Sequence, residues 1–405
     1  MKYKLLLSCL LLTTNLWAQH INLPANRAAV LPATDYVIYI PWGTLPTLYV
    51  ALHAQLHNTP SFLWYFRVGT LNNEAQPSHL TLVGTPGATA DVALMGREVA
   101  RIIQQNPNAS FTLYTDDMQA GRIFIELLIA NGVKDGNYFV RILSDGTGTY
   151  NFYRNLFNRT GAGFEVFNNA MLFYFNLFYR AGVTGSAAHL PRTNNNWADL
   201  ANQMFALATY PFAELWLSHP DLLLSADYRM GLARMLINAR EVTPQFLFSL
   251  LNRAQTESFL QLVNFDRTYF DNLLGQNSAN RPPLVVTMSD PIPANFNTIL
   301  AQILRDYADY AIFLKPHPNA APTAAQIAHY RSLGVVEILP ARMPMEVFIW
   351  AYPHIKLGGF QSSLYMSAGL GQVLFFIANG PNDLPEPLIS LYQRQGFPGV
   401  RFINR

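Results

Sequence analysis

Three short stretches combine polar side chains with glycine or proline in patterns that can do chemistry. They are "SDGTGTY" at 144–150, "KPHP" at 315–318 and "GGFQSSLYMSAG" at 358–369. Asp145 offers a carboxylate with an ordinary pKa near about 4, ionised at neutral pH and able to take a proton from an attacking hydroxyl. Gly146 and Gly148 allow close backbone approach beside it. The same residues also read as a turn aspartate that caps its own loop. In "KPHP", each proline fixes its own φ near about −65° and restricts the residue before it, so the His317 imidazole is held in one direction. An ordinary strand exit reads the same way. Ser362 and Ser363 follow paired glycines at the start of a helical stretch, where hydroxyls and free N–H groups either form an anion site or simply cap the helix. Lys315 and His317 add positive charge at a second strand end, and a nucleotide-sugar phosphate fits that combination.

These residues need rigid elements behind them, and the flanking pattern supplies them. "YVIYI" (36–40), "LTLVG" (80–84), "SFTLYTDD" (110–117) and "YFVRILSDG" (138–146) are short apolar runs that read as buried strands. Between them lie a helix with Val92, Met95, Val99 and Ile102 on one face, capped at Thr89, and the helix "QAGRIFIELLIANGV", stopped at Asn131-Gly132. A similar alternation resumes after "NSANRPP", with strands "LVVTMSD", "AIFLKPHP", "VVEIL", "HIKLGG" and "QVLFFIA". The stretch from about 150 to 275 reads as mostly helical. This βαβ rhythm predicts parallel sheets covered by helices. Ligands in such sheets bind outside the C-terminal ends of the strands, where all three polar stretches fall.

The chain has 405 residues, half of them hydrophobic and 13% charged, which points to two domains. A net charge of +2 and the absence of any basic run exclude a nucleic-acid binder. No GxGxxG, GxxxxGK[ST] or HExxH motif occurs, so dinucleotide, P-loop and zinc-protease readings lack their fingerprints. The adjacent acids of "TDDMQ" (115–119) either hold a divalent ion or open a solvated helix. "MKYKLLLSCLLLTTNLWAQ" has a positive end, an apolar stretch and a Leu16-Trp17-Ala18 cleavage site, the pattern of a signal peptide over residues 1–18. An uncleaved anchor is the alternative. Cys9 is the one cysteine, so the chain after Ala18 has no disulfide and no thiolate metal site.

Taken in order, "SDG", "KPHP" and "GGFQSSLY" resemble the motifs of the bacterial sialyltransferases of glycosyltransferase family 80, the Pasteurella and Photobacterium type. "YIPWGTLPTL", "SLLNRAQTESFLQLVNFD" and "LPARMPMEVF" resemble that family's first strand, mid-chain helix and nucleotide-binding segment. The resemblance implies a GT-B fold, two Rossmann-like domains facing each other across a deep cleft. It implies an acceptor-side domain over 19–190, a nucleotide-sugar domain over 191–384, and a tail from about 385 to 405 packing back on the first. It makes Asp145 the general base and His317 the residue that supports departure of CMP. Lys315, Pro318, Glu346, Gly359, Ser362 and Ser363 become donor-binding, and Trp42, Arg67, Asp116 and Asp117 acceptor-side.

The implied reaction is an inverting, metal-independent transfer of sialic acid from CMP-sialic acid to a galactose-terminated oligosaccharide or glycolipid, through an α2,3 or α2,6 linkage. It implies no cofactor, no nucleic acid and no obligate protein partner. With the signal peptide, it implies export to the periplasm or membrane of a Gram-negative bacterium. The chain departs from the family pattern at three places. Ser144 stands where the family has the first of two acids, Pro316 where it has glycine, and "TMSDPIP" where an acceptor-stacking tryptophan is expected. Those departures leave room for a GT-B enzyme with another nucleotide sugar, or an inactive secreted glycan-binding relative.

Overall fold

In the computed structural model, the described residues are 27–64, 71–83, 92–116, 118–134, 136–151, 212–223, 238–277, 281–369, 371–394, 396 and 399–405. The expected signal peptide, the Thr89 cap and most of the supposed helical middle lie outside them. The chain divides into two units, residues 1–264 and 265–405.

The first unit is built on a seven-stranded parallel sheet. Its strands are β1 (Tyr36–Ile40), β2 (Ser61–Leu63), β3 (Leu80–Leu82), β4 (Phe111–Thr115), β5 (Tyr138–Leu143), β6 (Ala213–Leu217) and β7 (Ala239–Glu241), in the order β3-β2-β1-β4-β5-β6-β7. The order reverses between β1 and β4. That switch point is where open α/β sheets hold their ligands. β1 and β4 are buried along nearly their whole length, as central parallel strands covered on both faces are, while β3 leaves Thr81 exposed and β5 leaves Phe139 exposed. The helix Val92–Gln105 buries the expected Met95, Val99 and Ile102. Gly132, at φ +85°, follows the helix Met118–Ala130 as the left-handed stop.

A polar ladder crosses one face of this sheet. Tyr39, Tyr114, Arg141 and Glu214 are register partners on four adjacent strands. Arg141 donates to the Tyr114 hydroxyl at 2.7 Å and pairs with Glu214 at 3.1 Å. Behind the ladder, the hydrogen bonds fit one direction. The Thr59 N–H donates to His57 Nδ1 (3.1 Å), His57 Nε2 to the Tyr39 hydroxyl (2.7 Å), that hydroxyl to His53 Nδ1 (2.6 Å), and His53 Nε2 to the Val30 carbonyl (2.7 Å). Each histidine is neutral in this chain, with one nitrogen giving and the other receiving. Burial holds both well below the usual histidine range, His57 down to about 4, with neighbouring histidines adding to the effect.

The second unit repeats the plan with six parallel strands. They are β8 (Pro283–Thr287), β9 (Ala311–Lys315), β10 (Glu337–Ile338), β11 (Lys356–Gly359), β12 (Val373–Ile377) and β13 (Arg401–Ile403), in the order β10-β9-β8-β11-β12-β13. Its core joins Leu284, Val286, Leu300, Ile303, Leu314 and Phe375 between sheet and helices. The reversal lies between β8 and β11, and two glycines make it possible. A Cβ on Gly358 would stand 2.4 Å from the Phe375 ring, and one on Gly359 2.4 Å from the Thr287 carbonyl. Gly359 also sits at φ +120°, where L side chains are strained. The Thr287 hydroxyl donates to the Phe360 carbonyl at 2.7 Å and locks the chain as it leaves β11.

The expected domain limits need correction. The 190/191 boundary falls outside the described residues, but β6 and β7 complete the first sheet, so that unit extends well past 190. These strands are short and were hidden in an aromatic, leucine-rich stretch that reads as helical. The tail belongs to the second unit. β13 pairs in parallel with β12, and the Tyr392 hydroxyl of the helix Leu388–Arg394 donates to the Tyr365 carbonyl at 3.3 Å.

Two predictions follow from these packings. Unfolded histidines bind protons below pH about 6.5 that His57 refuses until about 4, so its contribution is intact above 6.5 and lost as pH falls toward 4. Urea midpoints at pH 7 and pH 5 should fall less for His57→Gln than for the natural chain, and equal losses would contradict the buried chain of neutral imidazoles. Gly359→Ala should lower unfolding stability by about 3 kcal/mol or more, through backbone strain and collision with Thr287. A loss under about 1 kcal/mol would show that the strands can separate there.

Candidate active-site residues of the two units

In the first unit the polar side chains gather at the C-terminal ends of β1, β4 and β5. Asp116 directly follows β4 and is 9% exposed. Its Oδ1 accepts the Trp42 N–H at 2.6 Å and its Oδ2 the Gly43 N–H at 2.6 Å. Those N–H groups precede the helix Thr44–His53 and have no partner within it. Burial pushes the Asp116 carboxyl up to about 7. The two N–H groups pull it down, and the charge of Asp145 adds to the rise. With both oxygens engaged by N–H donors, Asp116 is a brace for the β1 turn. Asp117 and Arg67 lie outside the described residues.

Asp145 follows β5 and is exposed, with Gly146 beside it at φ +55°. Its backbone N–H donates to the Thr149 hydroxyl at 2.7 Å. The carboxyl group lies against Gly43, since a Cβ there would stand 2.3 Å from Asp145 Oδ1. Ser144, where the family pattern has an acid, is buried, its N–H bonded to the Trp216 carbonyl at 3.1 Å. The Trp42 side chain is 47% exposed one residue from Gly43. The structure thus brings Trp42, Gly43, Asp116 and Asp145 together. Gly43 is the member sequence reasoning missed, and its signal was the "WG" pair directly after a strand.

In the second unit, β9 runs into Lys315 and the "KPHP" turn. Lys315 turns inward. Its Nζ donates to the Pro316 carbonyl at 2.9 Å and the Ala341 carbonyl at 2.7 Å, tying the turn to the segment before the helix Met345–Ala351. Burial brings its pKa down to about 8, while the charge of Glu346, in that helix's first turn, works the other way. His317 is exposed. The Asn319 N–H approaches its Nδ1 at 3.3 Å, and the Asp290 carboxylate lies 3.5 Å from the same atom. The Asn319 contact suits Nδ1 as an acceptor and the Asp290 contact suits it as a donor, so both anchor the ring through the same nitrogen. Pro318 is exposed beside it. After β11, Ser362 caps the short helix Ser363–Met366, its hydroxyl accepting the Leu364 N–H at 3.3 Å, and Ser363 is exposed. The cap and the anion site are therefore compatible readings, because a serine oxygen that accepts one N–H still has its own proton to give.

No protein-family model matches the chain, and no curated protein sequence does. Solved structures do. The 2,6-sialyltransferase of Photobacterium sp. JT-ISH-224, solved with CMP and lactose, superposes with a TM-score of 0.62 at 17% identity, over 91% of this chain and 78% of that one. The α/β-galactoside α-2,3-sialyltransferase of Photobacterium phosphoreum gives a TM-score of 0.67 at 13% identity, over 92% and 99%. The GT-B domain of the Photobacterium damselae sialyltransferase gives 0.64 at 16%, over 91% and 100%. Identities this low speak for the fold alone. With its two parallel sheets in Rossmann order, the chain has the GT-B fold of these bacterial sialyltransferases.

Proposed function

We propose that the protein is an inverting sialyltransferase that moves sialic acid from CMP-sialic acid to a galactoside hydroxyl. One observation carries the reading. The three stretches that resemble the family's motifs all stand at C-terminal strand ends of two sheets with the fold of bacterial sialyltransferases. One of those neighbours was solved with CMP and lactose, which supports a cytidine nucleotide donor and a galactoside acceptor here.

In this reading Asp145 takes the proton of the acceptor hydroxyl as that oxygen attacks the anomeric carbon. The bond from that carbon to the phosphate oxygen breaks, CMP leaves, and one displacement inverts the centre. The imidazole of His317 and the hydroxyls of Ser362 and Ser363 stabilise charge growing on the phosphate, donors already oriented before the reaction. Glu346 accepts from the nucleotide. Lys315 acts from behind, fixing the turn that presents His317 and Pro318, and Gly359 sets the path of the chain into the serine pair. Trp42 offers an aromatic face to the acceptor, and Arg67 and Asp117 are taken as acceptor-side residues from the family resemblance. Protein donors carry the phosphate charge, so the reaction needs no metal. The 1–18 segment exports the protein to the periplasm or the membrane surface. Among the described residues no helix is long and apolar enough to cross a membrane.

Two outcomes test this. The chain lacking residues 1–18, given CMP-N-acetylneuraminic acid and lactose, should release CMP and form sialyllactose at the same rate with and without EDTA. Release only with UDP- or GDP-sugars would instead assign another donor class, and loss of transfer in EDTA would assign a metal. Asp145→Asn should cut the transfer rate by about 10²–10⁴-fold, the usual weight of a general base, without changing the melting temperature by more than a few degrees. Normal transfer by that variant would remove Asp145 from the mechanism.

A further inference from the structure

Asp145 is exposed, and an exposed carboxylate on a loop has rotamer freedom that a base aimed at one hydroxyl should not have. The first unit restricts it from two sides. Thr149 holds its backbone, and Gly43 meets its carboxyl group so closely that no Cβ fits between them. The Gly43 carbonyl is held by Thr47, accepting its N–H at 3.2 Å and its hydroxyl at 2.7 Å. The N–H side of the turn after β1 is held by Asp116, which follows β4 and takes both the Trp42 and Gly43 N–H groups at 2.6 Å. A neutral side chain of the same shape cannot do this, because an amide has one acceptor oxygen and would turn its NH₂ against one of the two donors.

Resting on the reading of Asp145 as the base, we propose that Asp116 is its positioning residue: by clamping the Trp42 and Gly43 N–H groups it seats the bare Cα of Gly43 against the Asp145 carboxylate and fixes the direction from which that carboxylate takes a proton. Gly43 transmits the clamp and is glycine for that reason. Asp116 also speaks to Asp145 electrically. Among the described residues the charged group acting on Asp116 is Asp145, and the N–H groups of Gly43, Trp42 and Asp116 itself act the other way. Asp116 gains its charge near pH 7. The ionised form accepts both N–H bonds and at the same time makes Asp145 a stronger base, so transfer should rise through that pH.

The test uses Asp116→Asn and Gly43→Ala in the full protein, with transfer kinetics, pH profiles and crystal structures of each. Both variants should lower kcat by about tenfold or more, the cost of a misaimed group, with the KM for CMP-sialic acid within about twofold of the natural chain. Asp116→Asn should also lose the inflection near pH 7. In the crystal structures the Asp145 carboxyl group should have left its seat at residue 43. Unchanged kcat in Gly43→Ala, or an unmoved carboxyl group in Asp116→Asn, would overturn the proposal, and the kcat of Gly43→Ala carries the test if Asp116→Asn does not fold. Absence of transfer by the natural chain would defeat the sialyltransferase reading instead. The position of the carboxyl group in Asp116→Asn would still decide the clamp, moved in support and unmoved against.

Discussion

Where the strand order of a parallel sheet reverses, neighbouring chains leave in opposite directions and their last N–H and C=O groups lose their ladder partners. Both sheets of this protein meet that constraint with glycine. At the first reversal a carboxylate directly after β4 takes the stranded N–H groups of Trp42 and Gly43, and Gly43 leaves room for Asp145. At the second, Gly359 lets β11 close on Thr287, and the Thr287 hydroxyl and carbonyl bind the chain as it departs. The polar groups proposed for chemistry stand immediately beyond these closures, on backbone the closures make rigid.

In the proposed reaction the two units divide the work. The first presents carboxylates, one braced and one exposed, beside an exposed indole. The second presents an imidazole N–H and hydroxyls that only donate toward an anion. Such a division suits a reaction in which one partner must lose a proton and the other must leave as a phosphate. It also accounts for the inward turn of Lys315. A lysine in that turn suggests a phosphate ligand, yet its Nζ is committed to the Pro316 and Ala341 carbonyls, so its effect on a ligand runs through the placement of His317.

Much of this was legible in the residues. "YVIYI" is β1 to the residue, and the runs ending at "TDD", "SDG", "KPHP" and the double glycine are β4, β5, β9 and β11, because strands covered by helices on both faces are mostly apolar. Of the short strands, "LTLVG" and "VVEIL" were legible as β3 and β10, and three others were not. "SFL", "ARE" and "RFI" are too brief to show a period, and their pairing is decided by the edge they dock against. That is also why the domain limit was placed too early and the tail assigned to the wrong unit. In the sites, residue types marked Asp145, His317 and the serines. Local sequence could not mark Gly43 as Asp145's seat or Asp116 as the turn's clamp, since both depend on contacts across 73 to 102 positions of chain.

The division of labour is tested most directly by calorimetric titration of CMP into the natural chain, Asp145→Asn and the Ser362→Ala/Ser363→Ala double variant. The account predicts that Asp145→Asn binds CMP as the natural chain does, while the double variant loses about tenfold or more in affinity, as two charge-assisted hydrogen bonds are removed. Equal binding by all three, or loss of CMP binding in Asp145→Asn, would contradict the assignment of the nucleotide to the second unit's strand ends.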